Sequence, residues 1–162
     1  MSETSEVINK IIESFKKDKL VHEKVTYRPW GGFITFSQKA IYNTKLFLKT
    51  YFPEEKIDDL TLLSPKILIV EPKKRLSLQY HNRRAELWRV IQGPVKAVCD
   101  ESLSPKTFKE NELVDLPVKI SHRLIGDDNN YGIVAEIWKH TDPKNMSDED
   151  DIVRLEDDYG RK

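Results

Sequence analysis

The feature that most limits the fold of this chain is a series of short β-branched and aromatic runs that begins after about residue 24. Pro, Gly, Asn or Asp residues separate each run from the next. Such a series is typical of an all-β sandwich or barrel, because brief strands alternate there with turns that need special backbone conformations. The predicted strands are Gly32–Ser37, Lys66–Val70, Leu76–Tyr80, Glu86–Ile91, Val95–Asp100 and Tyr131–Trp138.

An amphipathic helix is expected to precede the strands. Apolar residues of segment 5–19 recur at helical spacing and would form one face. They are Val7, Ile8, Ile11, Ile12 and Phe15. This face is too short for a membrane-surface helix, so we expect it to pack on the outside of the domain or against a second subunit. The chain thus divides into a helical extension, residues 1–23, and a β-domain, residues 24–162, in which residues 40–64 give only an irregular or partly helical pattern.

Composition excludes several classes of function. The chain has 162 residues, and its 27 basic and 27 acidic residues cancel, whereas a general nucleic-acid-binding protein has a basic excess. No run approaches the roughly 20 apolar residues that span a bilayer, and the N-terminus lacks a signal-peptide pattern. The single cysteine, Cys99, cannot form an internal disulfide, and we interpret it as a buried, mid-strand apolar residue. We therefore expect a cytoplasmic protein.

The segment Leu76–Gly93, LSLQYHNRRAELWRVIQG, contains the densest group of potential ligands. Gln79 and His81 are two residues apart, so a strand would direct both side chains to one face. If residues 82–84 form a turn, the resulting hairpin brings Glu86 beside them inside a barrel.

His122, which follows Pro117 in the segment LPVKISHRL, would complete this group. Two imidazole nitrogens, an amide oxygen and a carboxylate suit a divalent ion such as Zn, Mn, Fe, Co or Ni, and this chemistry does not select among them. Ligands on one side of the ion leave positions open for water or substrate. From spacing alone, a metal site and a set of ordinary buried polar residues explain the pattern equally well.

Four segments, in the same order along the chain, resemble the type II mannose-6-phosphate isomerases of the cupin superfamily. These also occur as the C-terminal domain of bifunctional mannose-1-phosphate guanylyltransferase/mannose-6-phosphate isomerase proteins. The segments are RPWGGF (28–33), LSLQYHNRRAELWRVIQG (76–93), LPVKISHRL (116–124) and EDDIVRLEDDYGR (149–161). The resemblance covers residues 27–161. It implies an all-β cupin jelly-roll barrel and one divalent metal ion, Zn first, whose ligands would be Gln79, His81, Glu86 and His122.

Several positions depart from the family pattern. Lys73 stands where Gly is common, Leu87 where His is common, Lys119 where Gly is usual and Trp138 where Gln is found. The segment 139–148, KHTDPKNMSD, also lengthens the connection to Glu149. None of these changes removes a proposed ligand, so they concern the identity of the substrate more than the fold or the metal.

The reaction that the resemblance implies is the interconversion of mannose 6-phosphate and fructose 6-phosphate. A proton must move between C1 and C2 of the open-chain sugar, and a metal can hold O1 and O2 and stabilise the charge that develops. Glu136 is the candidate base, with a metal-bound hydroxide as the alternative.

Phosphate binding calls for arginine, whose planar guanidinium can hold two oxygens. We group Arg123 and Arg154 with Glu136 as catalytic residues, and Arg84 and Arg161 as substrate-binding residues. A surface salt bridge is the alternative for each arginine. Trp30 and Trp88 are expected to wall the sugar pocket or to belong to the core. The C-terminal segment would fold over the barrel mouth and bring its arginines with it.

Two other functions stay open at this stage. One is a cupin that acts on another sugar phosphate or a nucleotide-linked sugar, and the other is a non-catalytic sugar-binding cupin, for which bulky Lys119 and Trp138 would narrow the mouth. His22 and His140 lie outside the matched motifs, so we expect surface or packing roles for them. The expected partners are a small sugar phosphate and a second copy of the chain, with neither nucleic acid nor membrane.

Overall fold

A computed structural model describes residues 1–37 and 39–162. Helix α1 spans Glu3–Asp18, helix α2 spans Ile41–Tyr51, and a short 3-10 helix spans Leu60–Leu62. The strands are β1 His22–Arg28, β2 Gly31–Phe36, β3 Leu63–Val70, β4 Leu78–Tyr80, β5 Arg84–Gln92, β6 Val95–Val98, β7 Lys106–Phe108, β8 Leu113–Leu116, β9 Arg123–Ile125, β10 Gly132–His140 and β11 Val153–Glu156.

The strands form two layers. One is a six-stranded antiparallel sheet with the order β1-β2-β3-β10-β5-β8. The other consists of the ribbons β7-β6-β9 and β11-β4, which single bridges join between Gln79 and His122 and between Arg75 and Ile125. The structure confirms the predicted all-β fold with an N-terminal helix, in the form of a cupin-type barrel.

The interior of the barrel is an apolar cluster to which both layers contribute. Its residues share the faces that the two layers turn toward each other. They include Trp30, Phe33, Leu68, Val70, Trp88, Val90, Val95, Ala97, Val114, Leu116, Leu124 and Val134. The burial of this apolar surface holds the two layers together.

A second apolar cluster covers the outer face of the six-stranded sheet. Helices α1 and α2 contribute Ile8, Ile11, Phe15, Phe47 and Leu48, and the sheet contributes Phe36, Ile67, Ile69, Leu87 and Ile137, among others. The apolar face of α1 is therefore buried against its own chain, which is the first of the two predicted arrangements.

Helix α1 has the termini that its sequence favours. Ser2 caps the N-terminus by accepting a hydrogen bond from the Ser5 amide, since helix N-termini carry unpaired N–H groups. At the other end, Lys19 adopts the left-handed conformation that ends many helices.

The segment 40–64, which the sequence leaves irregular, contains α2 and the 3-10 helix. Phe47 anchors it, because its ring is fully buried and packs against Phe36, Tyr51 and Phe52. Cys99 is half-buried and follows β6, so its predicted mid-strand position is wrong. Within the described ranges, neither helix is long and apolar enough to cross a membrane.

Candidate metal centre and substrate cavity

The potential ligands meet where the chain crosses between the two layers. The predicted hairpin is wrong, because β4 pairs with β11 in one layer whereas β5 pairs with β10 and β8 in the other. Arg84 begins β5 and is not part of the turn. The crossing nevertheless brings His81, at the end of β4, close to Glu86 on β5, and the bridge from Gln79 to His122 adds the second histidine.

His81, Glu86 and His122 form a compact, buried group with one potential ligand atom each, all within 4.8 Å of one another. The Nε2 atom of His81 lies 3.1 Å from Oε1 of Glu86, and Nε2 of His122 lies 3.5 Å from Oε2. Gln79 borders the group, with its amide nitrogen 3.4 Å from His81 Nε2 and its carbonyl oxygen accepting a hydrogen bond from Ser77.

The hydrogen bonds of the two imidazoles suit a bound cation. Nδ1 of His81 lies 2.6 Å from the carbonyl oxygen of Asp151, and Nδ1 of His122 lies 3.0 Å from that of Ile120. A carbonyl only accepts, so Nδ1 carries the proton in each ring and the Nε2 lone pair faces Glu86. Among the described residues, Nε2 of His122 is buried without a hydrogen-bond partner, which is costly for a polar atom. The Nε2 atoms of the two histidines and the Glu86 carboxylate together fit a divalent metal ion.

The charges within the group follow from burial and proximity. Burial opposes ionisation of Glu86, but His122, His81 and Arg84 outweigh it and hold the pKa of this carboxyl well below its ordinary value. For His122, burial outweighs the attraction of Glu86 and lowers the pKa of the imidazole. The two directions favour the forms that bind a metal, an ionised carboxylate and an unprotonated imidazole, and a bound cation would replace the positive charge that the histidines otherwise supply to Glu86.

A second carboxyl group, that of Glu136 on β10, lies beside this group. Its Oε2 accepts a hydrogen bond of 2.8 Å from the indole nitrogen of Trp88, and its Oε1 accepts one of 2.7 Å from that of Trp138. Burial and then the nearby charge of Glu86 raise the pKa of Glu136 to about 8. Glu136 is thus held by two fixed donors inside the barrel.

Arg84 lies against the ligands and is buried. Its Nε donates to Glu86 over 2.9 Å, and its Nη2 lies 3.1 Å from His81 Nε2. The guanidinium also stacks on Trp138, 3.5 Å from the ring centroid. The structure therefore places Arg84 inside the site and not in a surface salt bridge.

Most of these residues line a cavity of about 370 Å³, and part of its wall is basic. Arg28, Arg154 and Arg161 all contribute to this wall. Within the described part of the chain, Nε of Arg154 is buried without a hydrogen-bond partner. Burial and the positive charges of Arg161 and Arg28 lower the pKa of Arg154. We call Arg28, Arg154 and Arg161 the arginine cluster.

The C-terminal segment brings two members of this cluster to the barrel, as predicted. Arg161 also pairs with Asp157, at 2.7 Å. Arg123 is buried, but its Nε donates to the Leu76 carbonyl and its Nη1 to Glu156. This placement supports the cavity wall and does not favour the catalytic role predicted for Arg123.

Sequence reasoning missed three cationic residues of the cavity, Arg28, Lys66 and Lys162. Arg28 stands at the start of the matched segment RPWGGF, which could have indicated it. Lys66, on β3, lies in a predicted strand whose pattern carries no signal of chemistry. Its Nζ lies 4.3 Å from the ring centroids of Phe33 and Trp138, and it pairs with Glu149 at 2.7 Å.

The other predicted residues are two tryptophans, which line the cavity, and two histidines, which lie outside the ligand group. Trp30 and Trp88 both line the cavity and belong to the barrel core. His22 is half-buried at the start of β1, near the ring of Phe15. His140 is buried and is therefore a packing residue; its Nε2 lies 2.6 Å from Ser64 Oγ, and its Nδ1 accepts a hydrogen bond from the Ser147 amide.

Comparison with solved structures supports the fold alone. The capsular polysaccharide assembling protein CapF from Staphylococcus aureus aligns with a TM-score of 0.56 and 16% identity, over 82% of this chain and 34% of CapF. The plu4264 protein from Photorhabdus luminescens aligns with a TM-score of 0.51 and 16% identity, over 75% of this chain and 82% of its own.

Sequence relatives are longer proteins. Xanthan biosynthesis protein XanB of Xanthomonas campestris is 30% identical over 99% of this chain, and alginate biosynthesis protein AlgA of Pseudomonas aeruginosa is 34% identical over 83% of it. A mannose-1-phosphate guanylyltransferase of Escherichia coli is 30% identical over 95%. The alignments span only 28%, 22% and 27% of these relatives, respectively.

The relation becomes specific at the level of the family. Residues 49–157, which include every proposed metal ligand, match the family described as the mannose-6-phosphate isomerase C-terminal domain. This match covers most of the barrel and the start of the C-terminal segment. The chain therefore belongs to the mannose-6-phosphate isomerase C-terminal family.

Proposed function

We propose that this protein is a cytoplasmic, metal-dependent isomerase that interconverts mannose 6-phosphate and fructose 6-phosphate. The observation that carries the proposal is that one cavity, of about 370 Å³, has both metal-ligand residues and the arginine cluster in its walls. Its size falls within the usual range for small-molecule sites. The family described above supports a sugar-phosphate substrate.

Metal binding is assigned to His81, Glu86 and His122, with Gln79 beside them. A divalent ion held there, for which Zn²⁺ is our first choice, would supply positive charge for the sugar oxygens that become more negative during isomerisation. Arg84 is close enough to Glu86 and His81 to add a second positive charge at the same place. The ligand nitrogens are directed by the carbonyls of Asp151 and Ile120, so the protein fixes the orientation of both imidazoles.

Glu136 is assigned the proton transfer between C1 and C2. The two indole N–H groups hold its carboxyl in place, so it can accept and return a proton without reorienting. Its position between Trp88 and Trp138 also keeps it away from bulk water.

The arginine cluster is assigned to the phosphate. Three guanidinium groups near one another repel, and a phosphate dianion relieves that repulsion while it accepts several charge-assisted hydrogen bonds. The Nε atom of Arg154 is buried and has no hydrogen-bond partner among the described residues, so it can donate to a phosphate oxygen. Substrate would thus lie with its phosphate at the cluster and its C1–C2 end at the ligands.

The deciding experiment measures bound metal and turnover together. The purified protein is analysed for metal, and the interconversion of the two sugar phosphates is followed before chelation, after chelation, and after Zn²⁺, Mn²⁺ or Co²⁺ is restored. We expect activity to disappear with the metal and to return with at least one of these ions. A fully loaded protein without turnover would contradict the isomerase proposal and would favour a different sugar substrate or a non-catalytic role.

The ligand assignment is tested by His122→Ala, with His22→Ala as the matched control, since His22 lies outside the cavity. We expect His122→Ala to lose bound metal and the control to retain it, as measured by metal analysis after dialysis. Equal metal content in both variants would remove His122 from the site.

A further inference from the structure

The segment between β10 and β11 closes one side of the metal-ligand group, and Asp151 is its point of contact. We propose that Asp151 is a positioning residue for the ligand His81, and that residues 140–151 act on the site through it. This inference rests on the metal centre of the proposed function.

Asp151 holds His81 and the residues that follow it by three separate hydrogen bonds. Its carbonyl oxygen lies 2.6 Å from Nδ1 of His81. Its carboxylate accepts from the backbone amides of Asn82 and Arg83, each at 3.0 Å. One residue thus fixes both the ring of the ligand and the backbone just beyond it.

This contact occurs where the sheets give no support. Residues 81–83 lie between β4 and β5, at the crossing from one layer to the other. Two of their amides are satisfied by Asp151 and not by a neighbouring strand, and amides that face no acceptor are costly when buried. The carbonyls of this connection are held by other residues, since that of His81 accepts from the Lys119 amide and that of Arg83 from the Thr141 amide. Asp151 is the residue that contacts both the His81 ring and the two amides that follow it.

Asp151 is itself held in place by the residues that precede it in the chain. Ser147 Oγ donates to the Asp151 carboxylate over 2.6 Å, and it accepts from Arg84 Nη1 over 2.9 Å. The Ser147 amide donates to His140 Nδ1 over 3.0 Å. The Asp148 carbonyl accepts a further bond of 2.9 Å from Arg84 Nη1.

These bonds connect the end of β10 to two groups in the site, His81 and Arg84. His140, Ser147 and Asp148 belong to the connection between β10 and β11 or to its start. This connection therefore supports the ligand group and is more than a surface loop. Removal of such an outer partner typically weakens metal binding about 10–100-fold.

The experiment is a titration of the metal-free protein with Co²⁺, whose visible spectrum reports both affinity and ligand geometry. The variants are Asp151→Ala and Asp151→Asn, with Asp128→Ala as control, because Asp128 is exposed in the turn before β10. We expect Asp151→Ala to bind Co²⁺ about 10–100-fold more weakly with altered bands. Asp151→Asn, which keeps one acceptor oxygen, should show a smaller loss, and the control none.

A second measurement needs no metal. Nitrogen-15 NMR spectra of the histidine rings in the parent should show His81 with its proton on Nδ1, because that nitrogen donates to a carbonyl. Asp151→Ala keeps this backbone carbonyl but loses the carboxylate that fixes its position against residues 82 and 83, so the signals should move part of the way toward the tautomer mixture of a free imidazole. A loss of general stability alone would not change the tautomer of one ring.

If Asp151→Ala fails to fold, Asp151→Asn replaces it in both measurements, since it removes one of the two carboxylate oxygens that accept from Asn82 and Arg83. A folded Asp151→Ala, or failing that Asp151→Asn, with the parent's Co²⁺ affinity, spectrum and His81 tautomer would overturn the positioning role. A parent that binds Co²⁺ but does not isomerise either sugar phosphate would overturn the proposed activity alone. A parent that binds no Co²⁺ would overturn both proposals.

Discussion

The two faces of the six-stranded sheet are built from the same strands and have opposite chemistry. Along one row of paired residues, Ile67 of β3 faces Ala135 of β10, and both side chains lie in the cluster under the helices. In the adjacent row, Lys66 pairs with Glu136, and Glu136 pairs with Trp88. A step of one residue therefore separates a sealed apolar surface from the ligand-lined end of the cavity.

Strand alternation explains how one sheet can serve both purposes. Successive side chains point to opposite faces, so a polar residue at every second position leaves the other face intact. The outer face contributes stability through the burial of apolar surface. On the inner face, Glu86 and Glu136 are each met by fixed donors, so that burial does not leave them unpartnered. Substitutions on the two faces should consequently affect different measurements.

The largest effect is expected from Glu136→Gln on the inner face. The amide keeps the size of the side chain but cannot take up the proton that the proposed reaction moves. We expect turnover of mannose 6-phosphate to fall about 10²–10⁴-fold, the usual contribution of a general acid or base, together with a lower unfolding temperature, because the amide offers an acceptor to only one of the two indole N–H groups. Steady-state kinetics on the metal-loaded protein measure it, with exposed Glu110→Gln as control. Turnover within a few-fold of the parent would exclude Glu136 as the proton carrier.

The next largest effect belongs to the outer face. Phe47→Ala leaves a cavity where a fully buried ring now packs on Phe36, Tyr51 and Phe52, and we expect a loss of about 3–5 kcal/mol in the free energy of unfolding. Urea denaturation measures it, with exposed Tyr42→Ala on the same helix as control. The turnover of the folded fraction should stay at the parent value. A fall in turnover as large as that of Glu136→Gln would show that the two faces are not independent.

The sequence predicted what depends on local pattern. Short β-branched and aromatic runs indicated the strands, and the spacing of Gln79 and His81 indicated a shared face, with Glu86 on the next strand. The structure brings His81, Glu86 and His122 together, although by a crossing between layers and not by the predicted hairpin. The pairing partner of a strand depends on contacts between distant segments, and a short motif does not record it.

Long-range contacts account for the residues that were missed. Lys66 faces Glu149 across 83 positions of sequence, and Asp151 reaches His81 across 70. Neither residue stands in a pattern that reports its partner. In segment 40–64, α2 is held by packing of Phe47 against β2, whereas its sequence shows weak amphipathic spacing and no side-chain N-cap. Tertiary packing, more than the local sequence, therefore determines that this segment is helical.

An intermediate effect is expected at Arg154 of the arginine cluster, which lies on β11 and therefore outside the six-stranded sheet. Arg154→Ala should raise the KM for mannose 6-phosphate about 10–100-fold, since a hydrogen bond to a charged group contributes about 1.5–3 kcal/mol, while kcat changes less. The control is Arg75→Ala. This change also removes an arginine that contacts the C-terminal segment, because Arg75 pairs with Asp158 of that segment. Equal KM values for Arg154→Ala and the parent would place the phosphate elsewhere.

The smallest effect concerns the pH dependence of stability and a residue at the end of β10, in the row of the inner face that contains Glu136. His140 is the last residue of β10, and burial, together with the positive charges of Arg84 and Arg83, lowers the pKa of its imidazole, while Asp151 opposes this shift. In the unfolded chain, the pKa of a histidine is about 6.5. The unfolded state therefore binds more protons below that pH, and the free energy of unfolding should fall as the pH drops from 6.5 toward the depressed pKa of the folded protein.

His140→Gln isolates this contribution, because glutamine can still accept from the Ser147 amide and donate to Ser64 without titrating. Urea denaturation of the metal-free proteins between pH 7 and pH 5 should show a shallower decline in the variant than in the parent. His22→Gln, changed at a half-buried position outside the cavity, should decline as the parent does. Parallel declines for His140→Gln and the parent would mean that the inner row tolerates a charged imidazole at this end. In that case, the division between the two faces would concern packing alone and not charge.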